Sequence, residues 1–161
     1  MREIPDTTNQ ELNMELALLM GFTKDKHYPG RVTRGGAVTM PKNYCTDPAA
    51  SLEVQAVAIE ADFEGYVYNL NEIKYRGYEA MTFKVISEML TATPRERAMA
   101  AWLTLQSARS SHREELLERL SRYKTVPGHG PDLDKLPDDE LERRLNLIES
   151  AFEYAFKEEG D

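Results

Sequence analysis

One hundred and sixty-one residues, 41% apolar and 30% charged, suffice for one folded domain with an appendage and lie far from a disordered composition. One cysteine, Cys45, excludes an internal disulfide framework and leaves zinc without paired Cys/His spacing, so a reducing compartment is expected. A net charge of −8 opposes bulk nucleic acid as a partner, and with no signal-like or membrane-length apolar run the expectation is a cytoplasmic protein with no membrane contact.

The charge is uneven. Residues 1–110 hold 12 basic and 14 acidic side chains, about −2, whereas residues 111–161 hold 8 and 14, about −6. The chain is therefore divided at this point into an α+β domain, 1–110, and an acidic helical hairpin, 111–161.

In chain order, Thr8-Asn9-Gln10-Glu11 forms a capping box that starts a helix, Leu12, Leu16, Leu19 and Met20 make its apolar stripe, and Gly21 stops it. From Phe22 to Cys45 two short β-favouring runs, Arg31-Val32-Thr33 and Ala37-Val38-Thr39-Met40, flank Gly35-Gly36 and predict a hairpin or a loop. Thr46-Asp47-Pro48 predicts an acidic N-cap with Pro at the first position of a second helix. That helix runs to about Ala61, with Ala49, Leu52, Val54, Ala56 and Ile59 as its apolar face.

Tyr66-Val67-Tyr68-Asn69-Leu70 and Ala80 to Ile86 are rich in β-branched and aromatic residues and predict an antiparallel strand pair. Thr93-Pro94-Arg95-Glu96 repeats the capping signature and launches a helix to about Ser107. Beyond Ser110-Ser111 a separate helix is expected over Glu114–Tyr123, then a break at Pro127 to Pro131. Asp138 caps a final helix in which Leu141, Leu145, Ile148, Phe152 and Ala155 step by four, three, four and three residues.

Three segments carry a family pattern: Glu11-Leu12 with Ala17 and Met20-Gly21; Tyr44-Cys45-Thr46-Asp47-Pro48-Ala49-Ala50-Ser51-Leu52-Glu53-Val54; and Leu90 to Pro94 running on to Ala101 and Leu103. Residues 11 to about 107 thereby resemble the phage ABA sandwich domain, a family of small phage and prophage proteins of mostly unknown activity that commonly has Ser in the place of Cys45. The resemblance implies an α/β/α-type sandwich, a small antiparallel sheet packed with helices. It also implies a phage-infected or lysogenic bacterial cell as the setting. The acidic hairpin and the basic Gly-Gly segment lie outside the pattern.

Catalytic groups are not expected. His27, His112 and His129 each fall in a predicted loop or helix start, and no Walker or dinucleotide motif implies a cofactor. Cys45 before a helix start could form a thiolate, though a buried small residue is the simpler reading. Asp132 and Asp134 echo a calcium loop without its remaining ligands, so no metal is expected.

Arg31 and Arg34 beside Gly35 suit a phosphate or carboxylate, and with Tyr44, Thr46 and Asp47 they form the candidate ligand-binding set; a turn with exposed arginines is the plainer alternative. Tyr66, Tyr68, Tyr75 and Tyr78 could stack a base or line a protein interface, or simply pack a strand. The stripe Leu141, Leu145, Ile148 and Phe152 is expected to seek a second surface, most economically in a homo-oligomer. The leading expectation is a non-enzymatic phage accessory protein that binds a host or phage macromolecule and self-associates through its C-terminal helices. The alternative is a protein that sequesters an anionic small molecule such as a signalling nucleotide; a hydrolase ranks last.

Overall fold

Local capping chemistry sets the helix starts. The computed structural model describes residues 7–75, 82–123 and 132–158, with side chains through Ala151. Thr8 accepts the Glu11 N–H while the Glu11 carboxylate takes the Thr8 N–H, a closed capping box at the head of α1 (Asn9–Leu19). Gly21, at φ 85°, turns the chain out of that helix in a conformation glycine tolerates best.

The sheet follows. β1 (Thr23–Lys24), β2 (Val32–Arg34) and β3 (Ala37–Thr39) form an antiparallel sheet in the order β1-β2-β3. Gly35 and Gly36, at φ 57° and 83°, supply the two left-handed residues of a type I′ turn, the turn whose twist matches that of the strands it joins. The registers Thr33↔Val38 and Arg34↔Ala37 follow from that two-residue loop.

Five further helices lie among the described residues: α2 (Pro48–Ala61), α3 (Phe63–Tyr75), α4 (Phe83–Leu90), α5 (Pro94–Arg122) and, after a 3-10 turn over Leu133–Lys135, α6 (Asp138–Glu158). The class is α+β with a small antiparallel sheet, although the sheet is not where aromatic content placed it. Tyr66–Leu70, predicted as a strand, lies in α3, and the described part of the second predicted strand lies in α4 or immediately before it; Ala80 and Met81 fall outside the described residues.

The reason is a local signal that outweighed β-propensity. Asp62 ends α2, and its carboxylate takes the Gly65 N–H at 2.9 Å, so one residue closes one helix and starts the next. A Cβ on Gly65 would meet that carboxylate at 2.1 Å, so a larger residue there would displace the Asp62 side chain from its capping position. The face of α2 also differs from its predicted one: Ala50, Ser51, Val54 and Ala58 are buried, while Leu52 is exposed.

Clustering of the fold gives two compact units, Met1–Ala108 and Arg109–Asp161. The division falls inside α5, which runs unbroken through Ser110-Ser111 where separate helices were expected. In the first unit Leu12 and Leu16 of α1, Val32 of β2, Val54 and Ala58 of α2, Tyr66 and Leu70 of α3, and Ala98, Ala101 and Leu105 of α5 share one core. Each fully buried Leu or Val contributes about 1.5–3 kcal/mol. One polar pair is enclosed as well: Asn69 Nδ2 donates to Thr104 Oγ1 at 3.0 Å, and that hydroxyl donates to the Ala100 carbonyl at 2.8 Å.

In the second unit Leu116 and Leu120 of α5 bury Leu141 and Leu145 of α6, with Leu117, Tyr123, Leu133, Leu136 and Ile148 around them. For Leu141 and Leu145 this corrects the expectation that the hairpin cannot bury its seam without the main domain or a second copy. Leu141 and Leu145 are covered within the single chain because α5 presents a matching i, i+4 stripe and the connecting segment adds Leu133 and Leu136. The Phe152 side chain, like Tyr78 and His129, falls outside the described residues.

Candidate anion-binding sheet

The segment that contains the short sheet is basic. Residues 23–43 contain Lys24, Lys26, Arg31, Arg34 and Lys42 against Asp25, five minus one or +4; the remaining chain holds 15 basic and 27 acidic residues, −12. All five cationic residues are exposed. A local field of one sign on a chain of the opposite sign is a recognition feature, because exposed charges more than about a Debye length apart, roughly 8–10 Å in physiological salt, are screened from each other.

Asp25 shapes the loop between β1 and β2. Its Oδ1 accepts the N–H groups of His27 and Tyr28, each at 2.8 Å, and its Oδ2 accepts the Thr33 hydroxyl at 2.8 Å. Those bonds, led by the His27 N–H, hold its carboxyl below the usual carboxylate range. The loop is then closed by Asp25 N–H to the Arg31 carbonyl and Arg31 N–H to the Tyr28 carbonyl. Asp25 is thus saturated with internal donors, which leaves the arginines free of it.

Both predicted arginines lie over aromatic rings. The Arg31 guanidinium sits 5.5 Å from the centroid of Tyr28, and that of Arg34 sits 5.3 Å from Phe22. Phe22 is itself packed against the core, so it anchors Arg34 to rigid structure. Each contact is worth about 0.5–1 kcal/mol at an exposed site, and it spares a guanidinium part of the ordering a carboxylate would otherwise have to impose. Gly35 follows Arg34 at the hairpin tip and serves the turn.

The other three predicted residues divide differently. Tyr44 is buried in the core, and burial pushes its phenol upward against the opposing pull of Lys42 and Arg34. It belongs to the core and is not exposed to a ligand. Asp47 caps α2 by accepting the Ala49 N–H at 2.9 Å, so that helix start is already occupied, and Thr46 stands exposed beside it. Lys42 joins the two regions: it pairs with Glu53 and lies within electrostatic reach of Tyr44 and Asp47.

Phe22, Asp25, Tyr28 and Lys42 were missed from sequence. A charge count over twenty residues, in place of two halves of the chain, would have exposed the basic segment.

The remaining candidates are dispersed. Cys45 is buried, its N–H held by the Asn13 side chain at 3.1 Å, and burial raises its thiol above the ordinary value, the reverse of an activated thiolate. Tyr66 is buried with its phenol pushed up to about 12, chiefly by burial; Tyr68 is exposed, and Tyr75 bonds Glu88. His112 pairs with Glu142 at 2.8 Å, and Asp132 pairs with Lys135. Among the described residues no group of three or more His, Cys, Asp or Glu is placed to hold a metal ion, and no helix is long and apolar enough to cross a membrane.

Comparison with protein-family models, with curated proteins and with solved structures finds no match.

Proposed function

We propose that this protein is a non-enzymatic binding protein whose basic sheet captures an acidic patch on another protein. The observation that carries the reading is the +4 segment in a −8 chain, with Arg31 and Arg34 held over Tyr28 and Phe22 and open to solvent. Guanidiniums fixed in this way match carboxylates at little further ordering cost.

A long polyanion fits less well. The strands have three residues or fewer, about 10 Å at 3.3 Å per residue, so a nucleic-acid strand soon reaches the acidic remainder of the chain. An arginine also takes one face of each of the two aromatic rings, which reduces the ring surface left for a base. Sequestering a small anion calls for enclosure, whereas both arginines are exposed on an open sheet. In the setting implied by the phage resemblance, the activity is that of an accessory protein that engages a host or phage protein.

Fluorescence anisotropy of a labelled Glu-rich peptide tests the reading. Binding is expected to weaken as salt rises and to fall at least tenfold in the double variant Arg31→Ala/Arg34→Ala, about 1.4 kcal/mol or more. Equal affinity in wild type and double variant overturns it.

A further inference from the structure

Beside the arginines the sheet has an open edge. Among the described residues no strand pairs with the outer side of β3, and Ala37, Val38 and Thr39 are all exposed. The type I′ turn makes Arg34 and Ala37 a hydrogen-bonded pair, so the antiparallel alternation makes Thr33 and Val38 a non-bonded pair. The N–H and C=O of Val38 consequently point away from β2, toward the open side.

Exposed edges usually carry inward-pointing charge, a bulge or proline that discourages pairing. This one carries Val38 at 41% exposure and Met40 at 59%, with Pro41 only after them. Arg34, opposite Ala37, is a cation that would attract an acidic strand without blocking the backbone, and Lys42 after Met40 is a second, which an incoming carboxylate would share with Glu53.

We infer that an extended acidic peptide segment of the partner protein adds to β3 as a fourth strand. Its backbone bonds the outward groups of Val38, its apolar side chains lie on Val38 and Met40, and its carboxylates reach Arg34 and Lys42. The inference rests on the proposed anion-binding reading and supplies its mode of recognition. Charge complementarity selects this occupant: a second copy of the sheet edge would bring +4 against +4, and a neutral strand would leave the arginines unmatched.

The experiment compares three probes on the full chain: a peptide alternating Glu and Val, the same peptide N-methylated at alternate residues, and single-stranded DNA. The expected results are binding of the first, a loss of up to about tenfold for the second, because methylation removes the donor to the Val38 carbonyl and crowds the edge, and weak binding of the third. Val38→Pro, which removes the outward N–H, should reproduce the loss with the plain peptide, its fold checked by circular dichroism. If Val38→Pro does not fold, the N-methylated peptide decides alone.

Equal affinity for the plain and N-methylated peptides overturns strand addition while the arginine-dependent binding survives. Loss of peptide binding altogether, or no effect of Arg31→Ala/Arg34→Ala, removes both readings. Preference for single-stranded DNA over the plain peptide overturns the choice of partner.

Discussion

The two units hold themselves together by different means. In the first, seventeen buried apolar side chains from α1, β2, α2, α3 and α5, with the segments joining them, form one core among the described residues; in the second, four buried leucines do the same work. Around those four stands a set of ion pairs: Arg109 and Arg113 on Asp138, Arg119 on Glu149, and Arg143 and Arg144 on Glu140. Exposed pairs are worth about 0–1 kcal/mol each and weaken in salt, so they select a register more than they supply stability. The second unit therefore depends on a few leucines, and the first spreads its dependence over many residues.

Leu141→Ala offers the largest break. It removes one of four buried leucines at a cost of about 2–5 kcal/mol, and hydrogen exchange should show α6 losing protection while α1 keeps it. Leu16→Ala should cost a similar amount and strip protection from α1 and α2 instead. If both variants lose protection uniformly along the chain, the contrast between the units is void.

Asn69→Ala comes next, at about 1–3 kcal/mol, because it removes the donor that Thr104 accepts inside the first core; urea unfolding measures it. Thr93→Ala follows at about 1 kcal/mol, since Thr93 and Glu96 close the head of α5 by reciprocal bonds. Thermal unfolding should register that change, and no shift would mean that Pro94 alone sets the helix start.

Acid gives the smallest effect. The Arg143 and Arg144 side chains hold Glu140 at about 2, below its ordinary 4.5. A depressed carboxyl contributes stability that is fully present above about 4.5 and is lost as pH falls toward 2. The α6 signal should thus weaken across that window in wild type and show a smaller slope in Glu140→Gln. Identical slopes would make this carboxylate a bystander.

Helix starts were legible because their chemistry is local. Thr8 with Glu11, Asp47 with Pro48, and Thr93 with Glu96 each announce themselves within four residues, and each is found in place. The Gly35-Gly36 hairpin was legible for the same reason. Residues 66–70 were misread because tyrosines and a valine favour strands on average, while the decisive signals were Asp62 and Gly65 upstream and the helical spacing of Tyr66, Leu70 and Ile73. Asn69 concealed that face further, since its burial depends on Thr104, thirty-five residues away.

Of the candidate site, the arginines and the turn could be read directly. Their aromatic supports could not, because stacking of Arg34 on Phe22 depends on how the sheet meets the core. The covering of Leu141 and Leu145 was likewise hidden in the pairing of two distant stripes.

The tip of the hairpin carries a consequence for chemistry performed on this chain. Gly35 and Gly36 have open space where a Cβ would stand, yet both adopt backbone angles disfavoured for L residues. Space is available and handedness is the obstacle. Synthetic D-alanine at either position should be accepted and should stiffen the loop, whereas L-alanine should loosen it, so mirror-image building blocks give a means of tuning the tip next to Arg34 without altering either arginine.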